Sequence, residues 1–178
     1  MYEDIKKAAE TLGFTGTFEI AARRIPCDAS LRRFCEQNVC GSYGTCYMCP
    51  PAEGSAETLI AKLHNYKDCL IFTKEYACPD MANYKPVQIS HERRSQLLWK
   101  TVQKLGYTEK NARVLTTGGC HLCEECGIKT NEPCRHPDMS CPSVSGYCVK
   151  CAELADMLGI NMAGENGGIV FFAMVLLK

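Results

Sequence analysis

Eight of the chain's fourteen cysteines crowd into two short stretches that also carry glycine and proline, and this crowding restricts the folds open to the chain. A lone cysteine behaves as a small buried hydrophobe. Four thiols within fifteen residues, Cys35, Cys40, Cys46 and Cys49, broken by Gly41, Gly44 and the Pro50-Pro51 pair, fit neither a helical face nor a strand alternation. Such a stretch folds as a loop, and a thiol-dense loop points to a disulfide framework or to metal. Residues 1–7 carry no apolar leader, so a cytoplasmic location is expected, where disulfides do not persist. A secreted disulfide scaffold is the opposing reading, but such scaffolds are usually shorter than 178 residues. Lys+Arg and Asp+Glu number 20 each, which argues against a strongly basic nucleic-acid binder and against an acidic disordered chain. The longest apolar run, 169–177, falls short of the roughly 20 residues that span a bilayer.

The second stretch carries the sharper signal. Cys120, Cys123 and Cys126 are spaced by two residues each, and seven residues separate Cys126 from Cys134. Three thiolates so spaced on a wrapped loop can each reach a different iron of one cubane, with a more distant cysteine closing the site. The bacterial ferredoxin run has the same core and a shorter last gap. Gly118 and Gly119 are expected to let backbone amides approach the cluster sulfurs. Zinc is the competing metal: 21 residues separate the Cys123/Cys126 pair from the Cys148/Cys151 pair, close to a zinc-ribbon spacing. That pairing leaves Cys120 and Cys134 without a role. In the first stretch, Cys35, Cys40, Cys46 and Cys49 suffice to close a site of their own, with Pro50 fixing the chain as it leaves. His121 and His136 lie within the second stretch and are expected to be solvated, with cluster tuning or zinc ligation as the alternatives. Lys129 and Arg135 are also near it, where positive charge favours a reduced cluster.

The rest of the chain reads as alternating helices and strands. Ile5, Ala8, Ala9 and Leu12 make a helical stripe that Gly13 ends. Residues 17–25 alternate as a strand, with Phe18, Ile20 and Ala22 on one face. Ala56, Leu59, Ile60 and Leu63 mark a second helix with Ser55 as its N-cap. Residues 69–76 read as a strand and 90–105 as the longest helix, with Leu98, Val102 and Leu105 on one face. A short strand follows at 112–116, then a helix at 145–158 and a buried strand at 168–177. On that last helix Cys148 and Cys151 share a face with Ala155 and Leu158, so they are core thiols or ligands. Cys69 is expected in the core, while Cys27, Cys78 and Cys141 stay open. The 161–168 stretch, rich in Asn and Gly, reads as a turn before the last strand. The expected architecture is α+β, a compact α/β sandwich forming a single domain over 1–178, with Cys-rich metal-binding loops at 27–51 and 118–142.

Taken together, Cys35…Cys40-Gly41-Ser42-Tyr43-Gly44…Cys49-Pro50-Pro51, Gly119-Cys120-His121-Leu122-Cys123-Glu124-Glu125-Cys126 and Pro133-Cys134-Arg135-His136-Pro137 resemble a family of uncharacterised, cysteine-rich, predicted metal-binding proteins of anaerobic bacteria and archaea. The resemblance spans most of the chain. It implies a cytoplasmic protein with iron–sulfur ligation, and says little about substrate. Cys35, Cys40 and Cys49 match the family's first motif; Cys120, Cys123, Cys126 and Cys134 match its second. Cys46, Cys148 and Cys151 are additions in this chain. Two [4Fe–4S] clusters need eight thiolates and the matched set gives seven; Cys27, Cys46, Cys69, Cys78, Cys141, Cys148 and Cys151 are the candidates for the eighth, Cys46 is the expected one, and a third cluster stays open. The expected function is electron transfer to or from a redox partner protein, with no nucleic acid and no membrane span involved. A Zn2+-binding interaction module and a small redox enzyme with a three-Cys cluster are the alternatives. The sequence leaves the oligomeric state open.

Overall fold

A computed structural model describes residues 1–164 and 167–178. Its centre is a four-stranded antiparallel sheet of β1 (Gly16–Ala21), β2 (Asp68–Ala77), β3 (Ala112–Leu115) and β4 (Gly168–Leu177), in the order β1-β2-β4-β3. The axis is the β2–β4 pair, which runs unbroken from Asp68 opposite Leu177 to Ala77 opposite Gly168. Among the described residues five α-helices accompany it: α1 (Glu3–Thr11), α2 (Arg32–Glu36), α3 (Ala56–His64), α4 (Tyr84–Lys104) and α5 (Cys151–Leu158). The fold is α+β, as expected.

Side chains alternate across a strand, so β4 serves two cores at once. Phe172, Met174 and Leu176 pack with Leu59 and Leu63 of α3 and Leu154 of α5. Ala173, Val175 and Leu177 pack with Ile5 and Ala9 of α1 and Leu98, Trp99 and Val102 of α4. Covered on both faces, β4 reads in sequence as an apolar run rather than an alternation. Ser55 caps α3 as expected, its Oγ accepting the Thr58 N–H at 3.2 Å. Among the described residues no helix is long and apolar enough to cross a membrane.

Four expectations about element bounds change. β1 stops at Ala21, because the chain turns into a 3-10 helix at Ala22–Arg24 and Ala22 is buried there. The 27–51 segment is not wholly loop: α2 lies inside it and carries Cys35. α4 begins at Tyr84, well before residue 90, and Leu105 is its C-cap residue, 41% exposed rather than on the buried face. α5 begins at Cys151, so Cys148 is not helical; it sits in the turn before, with φ of 55°. The expected turn at 161–168 lies partly outside the described residues; within them, the Val170 N–H reaches the Met162 carbonyl at 3.0 Å.

Candidate metal centre

The two thiol loops meet beyond the carboxyl end of β3. Residues after β3 stay tied to the sheet, since Thr117 Oγ1 donates to the Phe172 carbonyl at 3.0 Å. In the first loop, Arg32 holds α2 down by donating to the carbonyls of Gly54 and Gly146 at 2.8 and 2.9 Å. The turn that follows is closed by Tyr43 N–H on Asn38 Oδ1 at 3.0 Å and Gly44 N–H on the Pro50 carbonyl at 2.8 Å. Tyr47 then crosses to the second loop, its hydroxyl donating to the Glu132 carbonyl at 2.6 Å. Met48 anchors the same segment through its carbonyl, which accepts from Ser143 N–H at 3.2 Å.

This docking gathers the thiols around two adjoining cavities. Cys35, Cys40 and Cys49 line one of about 140 Å³, together with Gly118 and Gly119 of the second loop. Cys120, Cys123, Cys126 and Cys134 line the other, of about 240 Å³. Cys40 and the α4 residue Lys85 border both. Each cavity is several times the ~30 Å³ that a water occupies in the liquid. Among the described residues no three Cys, His, Asp or Glu side chains converge closely enough to hold a single metal ion.

Cys46 lines neither cavity. It is buried between them at 4% exposure. The Cys49 thiol and the backbone N–H groups of Met48, Cys120 and Cys49 lie beside its sulfur and lower its pKa, while Cys46 and burial push Cys49 up. Burial likewise pushes Cys120 up to about 12, and the neighbouring Cys46, Cys134 and Cys126 add to it. Thiols packed against thiols resist ionising together, and a bound metal cation is what stabilises them as thiolates.

Gly118 and Gly119 do something other than expected. The Gly119 N–H is given to Glu92 Oε1 at 3.0 Å rather than to a sulfur. A side chain on Gly118 would run into the Glu92 carboxylate, and one on Gly119 would strike Ser42 beside Cys49. The glycines thus allow α4 and the first loop to close on the second. Glu92 is fully buried, and its other oxygen meets His121 Nδ1 at 2.5 Å. Burial raises its pKa, against the lowering effects of His121, Lys85 and the Gly119 N–H. His121 is therefore not simply a solvated loop residue. Lys129 and Arg135 are already paired, with Glu125 at 3.9 Å and Glu132 at 2.6 Å.

The zinc-ribbon pairing is not assembled. Neither Cys148 nor Cys151 lines the cavity that holds Cys123 and Cys126. Cys148 instead lies by Arg32, Cys27 and Cys35. Cys69 and Cys141 are fully buried in the two apolar cores. Cys78 turns its sulfur to the Asp80 carbonyl at 3.6 Å. The sequence offered no direct sign of Lys85 or Glu92 as site residues. Their one signal is that the helix they stand on turns polar side chains inward, since Gln88, His91, Glu92, Ser95 and Gln96 are all buried.

A family of predicted metal-binding proteins, DUF2284, matches residues 18–177. The chain belongs to this family. The DUF2284 match includes both thiol loops and every cysteine of the two cavities. No curated protein and no solved structure matches the chain. Metal binding, predicted for DUF2284, agrees with a donor set made overwhelmingly of thiols.

Proposed function

We propose that this DUF2284 protein holds two [4Fe–4S] clusters and exchanges electrons with a partner oxidoreductase. The observation that carries the reading is the spread of the thiols: Cys120, Cys123, Cys126 and Cys134 line one roomy cavity, Cys35 and Cys49 the next, Cys40 borders both, and among the described residues no three donors close on one ion. A tetrahedral zinc site would draw four donors to within bonding distance of one point. Cys120, Cys123, Cys126 and Cys134 would hold one cluster; Cys35, Cys40, Cys49 and Cys46 the other. Bound there, the clusters would supply reversible one-electron storage. The chain's own residues set the surroundings. Cys46 sits among backbone N–H donors that favour a thiolate sulfur. Glu92 and His121 fix the start of the second loop. Lys85 brings a positive charge to the rim of both cavities, which favours an added electron.

A second reading has a specific observation in its favour. The 140 Å³ cavity is lined by three cysteines, with Cys46 turned to Cys49. A cluster held by three thiolates leaves one iron open to a substrate, as a small redox enzyme would require. Anaerobic purification with iron and sulfide quantitation tests the primary reading. The expected result is brown protein bleached by dithionite, with about eight irons and eight sulfides per chain. Colourless protein with zinc as its sole metal would end the proposal.

A further inference from the structure

We infer that the apolar cavity beside Cys35 and Cys40 is a binding site for a small aromatic anion, of the naphthoate type. The cavity measures about 570 Å³, and Leu31, Phe34, Val39, Met81, Tyr84 and Val149 supply its apolar wall. That volume falls in the range of pockets that enclose small molecules, roughly 300–1,000 Å³. Phe34, Val39 and Met81 are 52%, 88% and 80% exposed, and they are three of the seven large apolar residues the described surface leaves open. Exposed apolar groups gathered on one concavity mark a binding site rather than scatter.

Charge selects the kind of ligand. The only charged residue on the wall is Lys85. Among the described residues no carboxylate pairs with it. Its one polar contact is Gln88 Oε1 at 3.4 Å. An apolar wall with one ammonium, bonded to no carboxylate although the buried Glu92 feels its charge, and an amide at one end suits a hydrocarbon body carrying one carboxylate. Cys35 and Cys40 border the same cavity. As a substrate pocket the site rests on the iron–sulfur reading; as a binding site it does not.

The probes are 1-naphthoate and its neutral isostere 1-naphthamide, titrated by calorimetry into the full, anaerobically purified chain. Naphthoate is expected to bind one to one and about tenfold tighter than the amide, a difference that Lys85→Met erases. Val39→Asp alters a side chain that is 88% exposed, so the fold is kept. It places a negative charge on the rim and should weaken naphthoate about tenfold. Absence of saturable naphthoate binding, or binding that neither variant changes, overturns the site. So does a dimer in sedimentation that Val39→Asp dissolves, because the patch then belongs to a second copy. Iron and sulfide measured on the same samples keep the two readings apart. Full cluster content without naphthoate binding removes only the pocket, and naphthoate binding without iron removes only the clusters.

Discussion

At the scale of single residues, one amino acid plays opposite parts in this chain. Cys69 is fully buried in β2, and its thiol is held far from ionisation by burial alone. Cys46 is almost as buried, yet the Cys49 thiol and three backbone N–H groups beside its sulfur favour the thiolate. At Cys46 these neighbours outweigh the burial that alone governs Cys69. Cys46→Ser should therefore remove roughly half of the iron if Cys46 is a cluster ligand. Unchanged iron would instead favour the three-cysteine site. Cys69→Ala is the counterpart: iron should stay constant while urea unfolding shows a loss of about 1–2 kcal/mol, the cost of emptying a small core volume.

At the scale of elements, α4 shows how one helix serves two masters. Its carboxyl half is apolar inside, with Leu98, Trp99 and Val102 against the sheet. Its amino half presents Gln88, Glu92 and Lys85 to the thiol loops. The apolar period fades there, which is why the sequence places the helix start six residues late, at 90 instead of Tyr84. α3 behaves in the ordinary way, with Leu59 and Leu63 in the core and a side-chain cap in front. Ser55→Ala should cost about 1 kcal/mol, read as a fall of a few degrees in the thermal midpoint. Iron content should not change, because α3 touches neither thiol cavity.

At the scale of the whole molecule, the sheet and the loops are held by different forces. The sheet rests on two apolar cores that contain only Cys69 and Cys141 among their fully buried thiols. The loops have no disulfide among their free cysteines and depend on a handful of hydrogen bonds. Anaerobic chelation should thus strip hydrogen-exchange protection from 27–51 and 118–142 while β2 and β4 stay protected. Equal loss everywhere would show that the metal holds the entire fold. Acid acts on α4. His91 is fully buried against Phe14, Tyr76 and Phe171, and burial pushes its pKa down to about 4. The unfolded chain takes up that proton near pH 6.5, so the folded state gains stability from a neutral His91 above about 6.5. This stability is lost as pH falls from about 6.5 to 4, on the order of 3 kcal/mol in all. His91→Phe should flatten that part of the urea-midpoint profile; a slope equal to wild type would assign the acid sensitivity elsewhere.

What the sequence determined by itself were the properties that local pattern carries. The apolar stripes of α1 and α3, the apolar run of β4 and the Ser55 cap follow from spacing along the chain, and so does the presence of two thiol-rich loops. The inward polar face of α4, the left-handed turn at Cys148 that keeps it out of α5, and the use of Gly118 and Gly119 to admit Glu92 were decided by the tertiary structure. So was the gathering of thiols from residues 35–49 and 120–134 around adjoining cavities. The reason is physical: periodicity reports which neighbours a residue has one turn or two positions away, whereas a site built from two loops and a helix depends on contacts between segments up to some hundred residues apart, for which a single sequence carries no period.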